Sequence, residues 1–147
     1  MNFDQMLADL GSLLGLENFA KTEDGNVTVR YDDVFTTIDY FNEHVYMLTK
    51  IAAVPDDKLS AYSFLLEANS FGKMDGYVGV TSEHDAIIFV TKIPEQLAEA
   101  CTVAKRLEKH VNAAETLMNG LASLSDSTEE RAQTVNDLPL NGVFLKA

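Results

Sequence analysis

The chain has no tryptophan, one cysteine, three prolines and only 11 basic residues against 23 acidic ones in a length of 147. A lone thiol, Cys101, forms no internal disulfide, so the fold must rest on a hydrophobic core, and the composition suits a reducing compartment. No stretch approaches the roughly 20 apolar residues of a membrane helix. The opening MNFDQMLADL carries acids where a secretory leader carries bases. A soluble, cytoplasmic protein is expected. The formal net charge of −12 repels phosphate backbones and disfavours nucleic-acid binding. Lys92, Lys105, Arg106 and Lys109 cluster at the third predicted helix, a weak nucleic-acid signal among so many acids. The acids themselves are scattered. They act either as a solvated surface or as an attraction for a basic partner.

Catalytic signatures are equally scarce. There is no G-x-S-x-G elbow, Walker loop or dinucleotide fingerprint. His44, His84 and His110 lie on three separate elements without the paired spacing of a zinc site, and each reads as a surface or turn histidine. Cys101 falls on the apolar side of a helix, where a buried structural thiol is expected. Gly72, Gly76 and Gly79 sit between a helix and a strand, whereas a phosphate loop runs from strand into helix. Asp56 and Asp57 fit helix capping better than acid–base chemistry. We therefore expect no enzyme, no cofactor and no metal.

What is present is an apolar share of 46% with eight phenylalanines, enough for one domain burying roughly 68–70% of its unfolded surface. Phe3, Met6, Leu7, Leu10, Leu13 and Leu14 recur at helical spacing up to Gly15. Three strands follow, over 26–31, 34–41 and 45–54, the first two separated by the turn signal Asp32-Asp33 and the last two by Asn42-Glu43-His44. Pro55 ends the third strand, and Asp56 or Asp57 caps a second helix over 58–70. Strands at 77–81 and 86–93 flank the polar turn 82–85. Pro94 then opens a third helix, with a heptad-like series at Leu97, Ala100, Ala104, Leu107, Val111, Ala114, Met118 and Leu121. That series fits packing on the domain's own sheet, its small alanines allowing close approach, or a coiled coil. Beyond Gly120 the composition turns polar. Residues 1–122 thus read as the folded domain and 123–147 as a mobile tail, whose apolar end, Leu138 to Leu145, either frays or docks in a groove.

The apolar residues outnumber the places to hide them. The second helix has Leu59, Tyr62 and Leu66 on one face and Ala61, Phe64, Leu65 and Ala68 on the other. The second strand carries aromatic or branched residues on both faces. Large exposed apolar patches mark binding surfaces, and a helix apolar on two sides needs cover on two sides. A second subunit is expected.

The order helix, three strands, helix, two strands, helix resembles the class I type III secretion chaperones, the Tir-chaperone family. So does the middle segment LLEANSFGKMDGYVGVTSEHDAIIFV, where leucines and Glu67-Ala68-Asn69 lead through glycine-bearing turns into a hydrophobic strand. Leu14-Gly15-Leu16 is similar to the end of that family's first helix, and the likeness spans about Phe3 to Leu121. The resemblance implies an α+β homodimer with a twisted, mainly antiparallel sheet and helices packed on it. It implies a bacterial, cytoplasmic, non-catalytic chaperone that holds the N-terminal segment of one or more secreted effectors soluble and competent for export, with secretion-apparatus components as further partners. By the same resemblance, effector binding falls to Phe3, Leu7, Leu10, Leu14, Val29, Phe35, Thr37 and Phe41, and the dimer contact to Phe64, Leu65, Ala68, Tyr77, Val78 and Val80. A rival reading is an adaptor that binds partners through the heptad helix 95–121. A second is a small-ligand or enzymatic α+β domain, which requires His44, His84 and Cys101 to converge.

Overall fold

The first helix, α1 (Phe3–Leu14), is stopped at both ends by local chemistry. Asn2 caps its start, the side-chain oxygen accepting from the Gln5 N–H at 3.1 Å. At its end Gly15 adopts φ 65°, which glycine reaches without Cβ strain, and the Leu16 N–H returns to the Gly11 carbonyl at 2.9 Å. The computed structural model describes residues 1–17, 19, 21–72 and 74–137, with side chains described through Leu124 except at Phe71. The apolar segment 138–145 lies outside the described residues.

Five antiparallel strands follow: β1 (Val27–Tyr31), β2 (Val34–Phe41), β3 (His44–Ala53), β4 (Tyr77–Val80) and β5 (Ala86–Pro94). They are ordered β1-β2-β3-β5-β4. The β2–β3 hairpin pairs Phe41 with His44 across Asn42 and Glu43. Both of those residues have positive φ, 49° and 59°, the conformation whose twist matches the flanking strands. α2 (Lys58–Asn69), capped by Asp57, crosses over between β3 and β4. α3 (Ala100–Asp137) returns along the sheet after β5.

Period-2 alternation divides the sheet into two faces. Val29, Val34, Ile38, Val45, Met47, Ile87, Phe89 and Ile93 point inward and are buried. α3 lies across β2, β3 and β5, α1 rests on α3, and α2 rests on β4. Arg30, Phe35, Phe41, Lys50 and Lys92 point outward and are exposed. Among the described residues, the three helices thus cover one side.

Two boundaries differ from expectation. Pro94 ends β5 instead of opening the helix, a short 3-10 turn covers Glu95–Leu97, and α3 begins at Ala100. The helix also runs on to Asp137, past the compositional shift at Gly120 and through the stretch read as tail. Its polar sequence there is still rich in helix formers and contains no proline.

The buried row of α3 is Val103, Leu107, His110, Ala114, Leu117 and Leu121, while Leu97 is exposed. That face packs on the domain's own sheet. His110 corrects the expectation of a surface histidine: it is 1% exposed and stacked on Phe89, with ring centroids 4.6 Å apart. Its ring joins two threonines, Thr91 at 2.7 Å from Nδ1 and Thr49 at 2.8 Å from Nε2. Thr49 in turn meets Thr36 at 2.8 Å. The Thr91 hydroxyl donates to the Asp75 carbonyl at 2.9 Å, so its oxygen must accept from His110 Nδ1–H. Nε2 then accepts from Thr49, whose oxygen accepts from Thr36. Every group in this chain is satisfied with a neutral imidazole. Burial holds the His110 pKa at about 4, below the usual 6.5.

Candidate functional site

The outward sheet face is the first candidate surface. On β2, residues 35, 37, 39 and 41 share it, and Phe35 and Phe41 are 55% and 70% exposed. Neither is a stray side chain. Phe35 lies opposite Arg30 of β1, whose guanidinium sits 5.4 Å from its ring centre, an arrangement that favours the cation over the π face. Arg30 is steadied there by donating to the Asp32 carbonyl at 2.8 Å. Thr37 stands between the two aromatics, its hydroxyl 3.3 Å from that of Thr28.

Around the rim of β1 lies a groove of about 400 Å³ lined by Leu14, Tyr31, Ala104, Lys105, Glu108, Val111 and Asn112. Burial and the nearby Glu108 charge both raise the Tyr31 pKa, keeping its hydroxyl a neutral donor. The other effector-site candidates lie deeper. Phe3, Leu7, Leu10 and Val29 are 8%, 3%, 0% and 4% exposed and belong to the protomer's own core. Within the protomer α3 lies against that stripe of α1. Phe3 also stacks on Tyr40, centroids 5.6 Å apart, beneath Lys21. The Tyr40 hydroxyl donates to Glu95, which also pairs with the Met1 ammonium, and that hydrogen bond is the main reason the Tyr40 pKa is raised.

The second candidate surface is formed by α2 and the edge strand β4. Tyr62, Leu66 and Asn69, at helical spacing, meet Val78, Gly79 and Val80 in an apolar recess of about 340 Å³ that His84 closes. Leu59 and Leu66 are 79% and 71% exposed, and Tyr77 is 48% exposed. Of the six residues assigned to a dimer contact, Tyr77 is exposed and Ala68 and Val80 are half-buried, whereas Leu65 and Val78 are buried. Phe64 faces inward: a Cβ placed on Gly120 of α3 would lie 2.4 Å from its ring, so the two elements are packed through that missing side chain. Sequence periodicity found both apolar sides of α2 but could not tell which one α3 would cover.

Among the described residues, no catalytic arrangement accompanies these surfaces. His44 and His84 lie at opposite ends of the β3–β5 ladder, where His44 pairs with Pro94 and Ala53 with Ala86, roughly 30 Å apart at strand rise. Cys101 is exposed, correcting the expectation of a buried thiol. Among the described residues, no three His, Cys, Asp or Glu side chains gather as a metal site. No helix of the described residues is long and apolar enough to cross a membrane.

The model of the Tir chaperone protein (CesT) family matches residues 5–118. The chain belongs to this family. Its members are chaperones and not enzymes. No curated protein sequence matches the chain. Among solved structures, the chain is similar to one in the ExsC–ExsE complex (TM-score 0.67, 16% identity, 79% of this chain and 90% of that one). It is similar to one in the ExoT–SpcS complex from Pseudomonas aeruginosa (TM-score 0.62, 20% identity, coverage 79% and 98%). It is also similar to one in the complex of the Yersinia pestis type III secretion chaperone SycH with a fragment of YscM2 (TM-score 0.63, 18% identity, coverage 79% and 99%). At these identities the likeness is one of fold. The family match ends at 118, whereas α3 continues well beyond it.

Proposed function

We propose that this chain is a cytoplasmic, non-catalytic type III secretion chaperone that binds an extended N-terminal segment of a secreted effector and works as a homodimer. Membership of the chaperone family carries the reading. The complexes named above, in which chains of this fold meet partner proteins, support it. The effector would lie on the outward face, against Phe35, Thr37 and Phe41, and extend toward the groove at Leu14. Ordering such a segment costs on the order of 2–5 kcal/mol, which exposed aromatic surface is suited to offset. The second copy would meet Leu66, Tyr77, Ala68 and Val80. A partner-binding heptad helix is disfavoured, because the apolar row of α3 is spent on the domain's own core.

Co-purification from a secretion-competent cell, with mass spectrometry of what is bound, tests the reading. One secreted protein should be retained at stoichiometric level through its N-terminal segment. The double substitution Phe35→Glu with Phe41→Glu should release it while the circular dichroism spectrum is unchanged. Retention by that folded variant would refute the assigned surface. Failure to retain any secreted protein would refute the chaperone reading itself.

A further inference from the structure

An open antiparallel sheet has two edges, and the two edges of this one are chemically different. On β4 the hydrogen-bonding phase is set by the Thr81 N–H, which donates to the Ala86 carbonyl at 3.0 Å. Backbone groups alternate in direction along an edge strand. Gly79 and Tyr77, opposite Ile88 and Val90, therefore turn their N–H and C=O toward β5, whereas Val78 and Val80 turn theirs away from the sheet. Val78 is thus the centre of what would be a pairing edge.

Its outward groups are already taken. The Asn69 side-chain oxygen accepts from the Val78 N–H at 2.7 Å, and the Asn69 amide nitrogen donates to the Val78 carbonyl at 3.0 Å. One planar amide reproduces the two bonds a neighbouring strand would make. Asn69 is the last residue of α2, so the helix that rests on β4 also delivers the plug.

β1 offers the contrast. Tyr31 and Val34 close its two-residue hairpin as a hydrogen-bonded pair, which puts Val29 in phase with them and leaves Thr28 and Arg30 turned outward. Among the described residues, no group bonds to the backbone of Thr28 or Arg30. An unpaired edge of this kind invites another strand.

We propose that Asn69 is an edge-closing residue: by occupying both outward backbone groups of Val78, it leaves β4 only the outward pair of Val80, too little to hold a strand, and makes β1, among the described residues, the edge able to pair with an extended peptide. A second copy then meets β4 and α2 through side chains alone, without a sheet continuing across the contact. This selection follows from backbone pairing and stands whether or not the chain captures an effector.

Hydrogen exchange and solution size test it on the full chain. With Asn69→Ala, the Val78 amide should exchange at least about ten-fold faster, the loss of a direct bond in a strand that otherwise stays paired. Amides of Ile88 and Met47 should be unchanged. Assemblies larger than the parent should grow with concentration, and isotope-edited infrared spectra with ¹³C at the Val78 carbonyl should show coupling to a neighbouring strand. Asn69→Asp keeps the acceptor for the Val78 N–H and loses the donor to its carbonyl. It should therefore retain Val78 protection yet still form the larger assemblies. Unchanged Val78 exchange in Asn69→Ala, or parent size in both folded variants at every concentration, overturns the proposal. If Asn69→Ala loses protection throughout the sheet, Asn69→Asp decides: parent size with Val78 protected assigns Asn69 to fold stability and not to edge closure.

Discussion

Acidification from pH 7 to 4.5 should remove stability that His110 holds at neutral pH. The imidazole is neutral in the fold because it is buried between Thr49 and Thr91, with the Thr91 hydroxyl committed to the Asp75 carbonyl. Among the described residues, the charged groups next to this chain are Arg106, one helical turn before His110, and Asp75, and these pair with each other. Neither offsets the cost of a buried imidazolium; burial alone lowers the pKa from 6.5 to about 4. The unfolded chain takes up the proton near 6.5 and the folded chain only near 4. Stability from this group is therefore complete above 6.5 and is lost as the pH falls toward 4. The difference corresponds to about 3 kcal/mol, most of it gone by pH 4.5. Carboxylates also titrate in this window, so the measurement must be differential. His110→Leu is suitable: Thr49 can still bond Thr36, Thr91 can still bond Asp75, and the volume is nearly kept. Urea unfolding should place that variant within about 1.5 kcal/mol of the parent at pH 7. Between pH 7 and 4.5 the parent should lose about 2.5 kcal/mol more than the variant. Nitrogen chemical shifts should show Nδ1 protonated and Nε2 bare at pH 6. Parallel stability curves, or a charged ring at pH 6, would refute the reasoning.

Two further predictions concern which apolar residues are core and which are surface. Leu7→Asp places a carboxylate at a 3% exposed position of α1 and should unfold the protomer, seen as loss of circular dichroism, because burying an unpaired charge costs more than a small domain's margin. A folded Leu7→Asp protein that had merely lost its partner would return α1 to the binding surface. Leu66→Glu, at an exposed site, should leave the fold intact and give a monomer by light scattering, whereas Phe64→Glu should destabilise by several kcal/mol because its ring sits against Gly120. A stable, monomeric Phe64→Glu together with a dimeric Leu66→Glu would reverse the assignment.

Much of the architecture was legible from residue order. The α1 periodicity, its Gly15 stop, the paired turn residues and the Asp57 cap are local signals, and each acts within a few residues of chain. That is why the strands and the first two helices fall within about one residue of expectation. The α3 errors have a physical source too. Pro94 suits both the end of a strand and the start of a helix. A row containing His110 does not read as apolar, so the heptad pattern picks out Leu107, Val111 and Ala114 and passes over the histidine at the centre of the buried row.

Exposure was far less legible. Phe3, Leu7 and Leu10 are as hydrophobic as Phe35 and Phe41, and their spacing says only that they share a stripe. The same limit applies to α2, whose two apolar sides differ only in which one meets α3. Asn69 was recognisable as part of a turn, but its partner Val78 is nine residues away and its two bonds exist only once α2 lies along β4.

Sequence alone thus determined the element order, the α+β class and the likeness to a chaperone family, all of which depend on local periodicity, composition and motif. The tertiary structure decided which stripes became core, that His110 is neutral and buried, and that Asn69 holds both outward backbone groups of Val78. Those properties arise from contacts between residues distant in the chain, because whether a side chain is buried depends on what covers it and not on its identity alone.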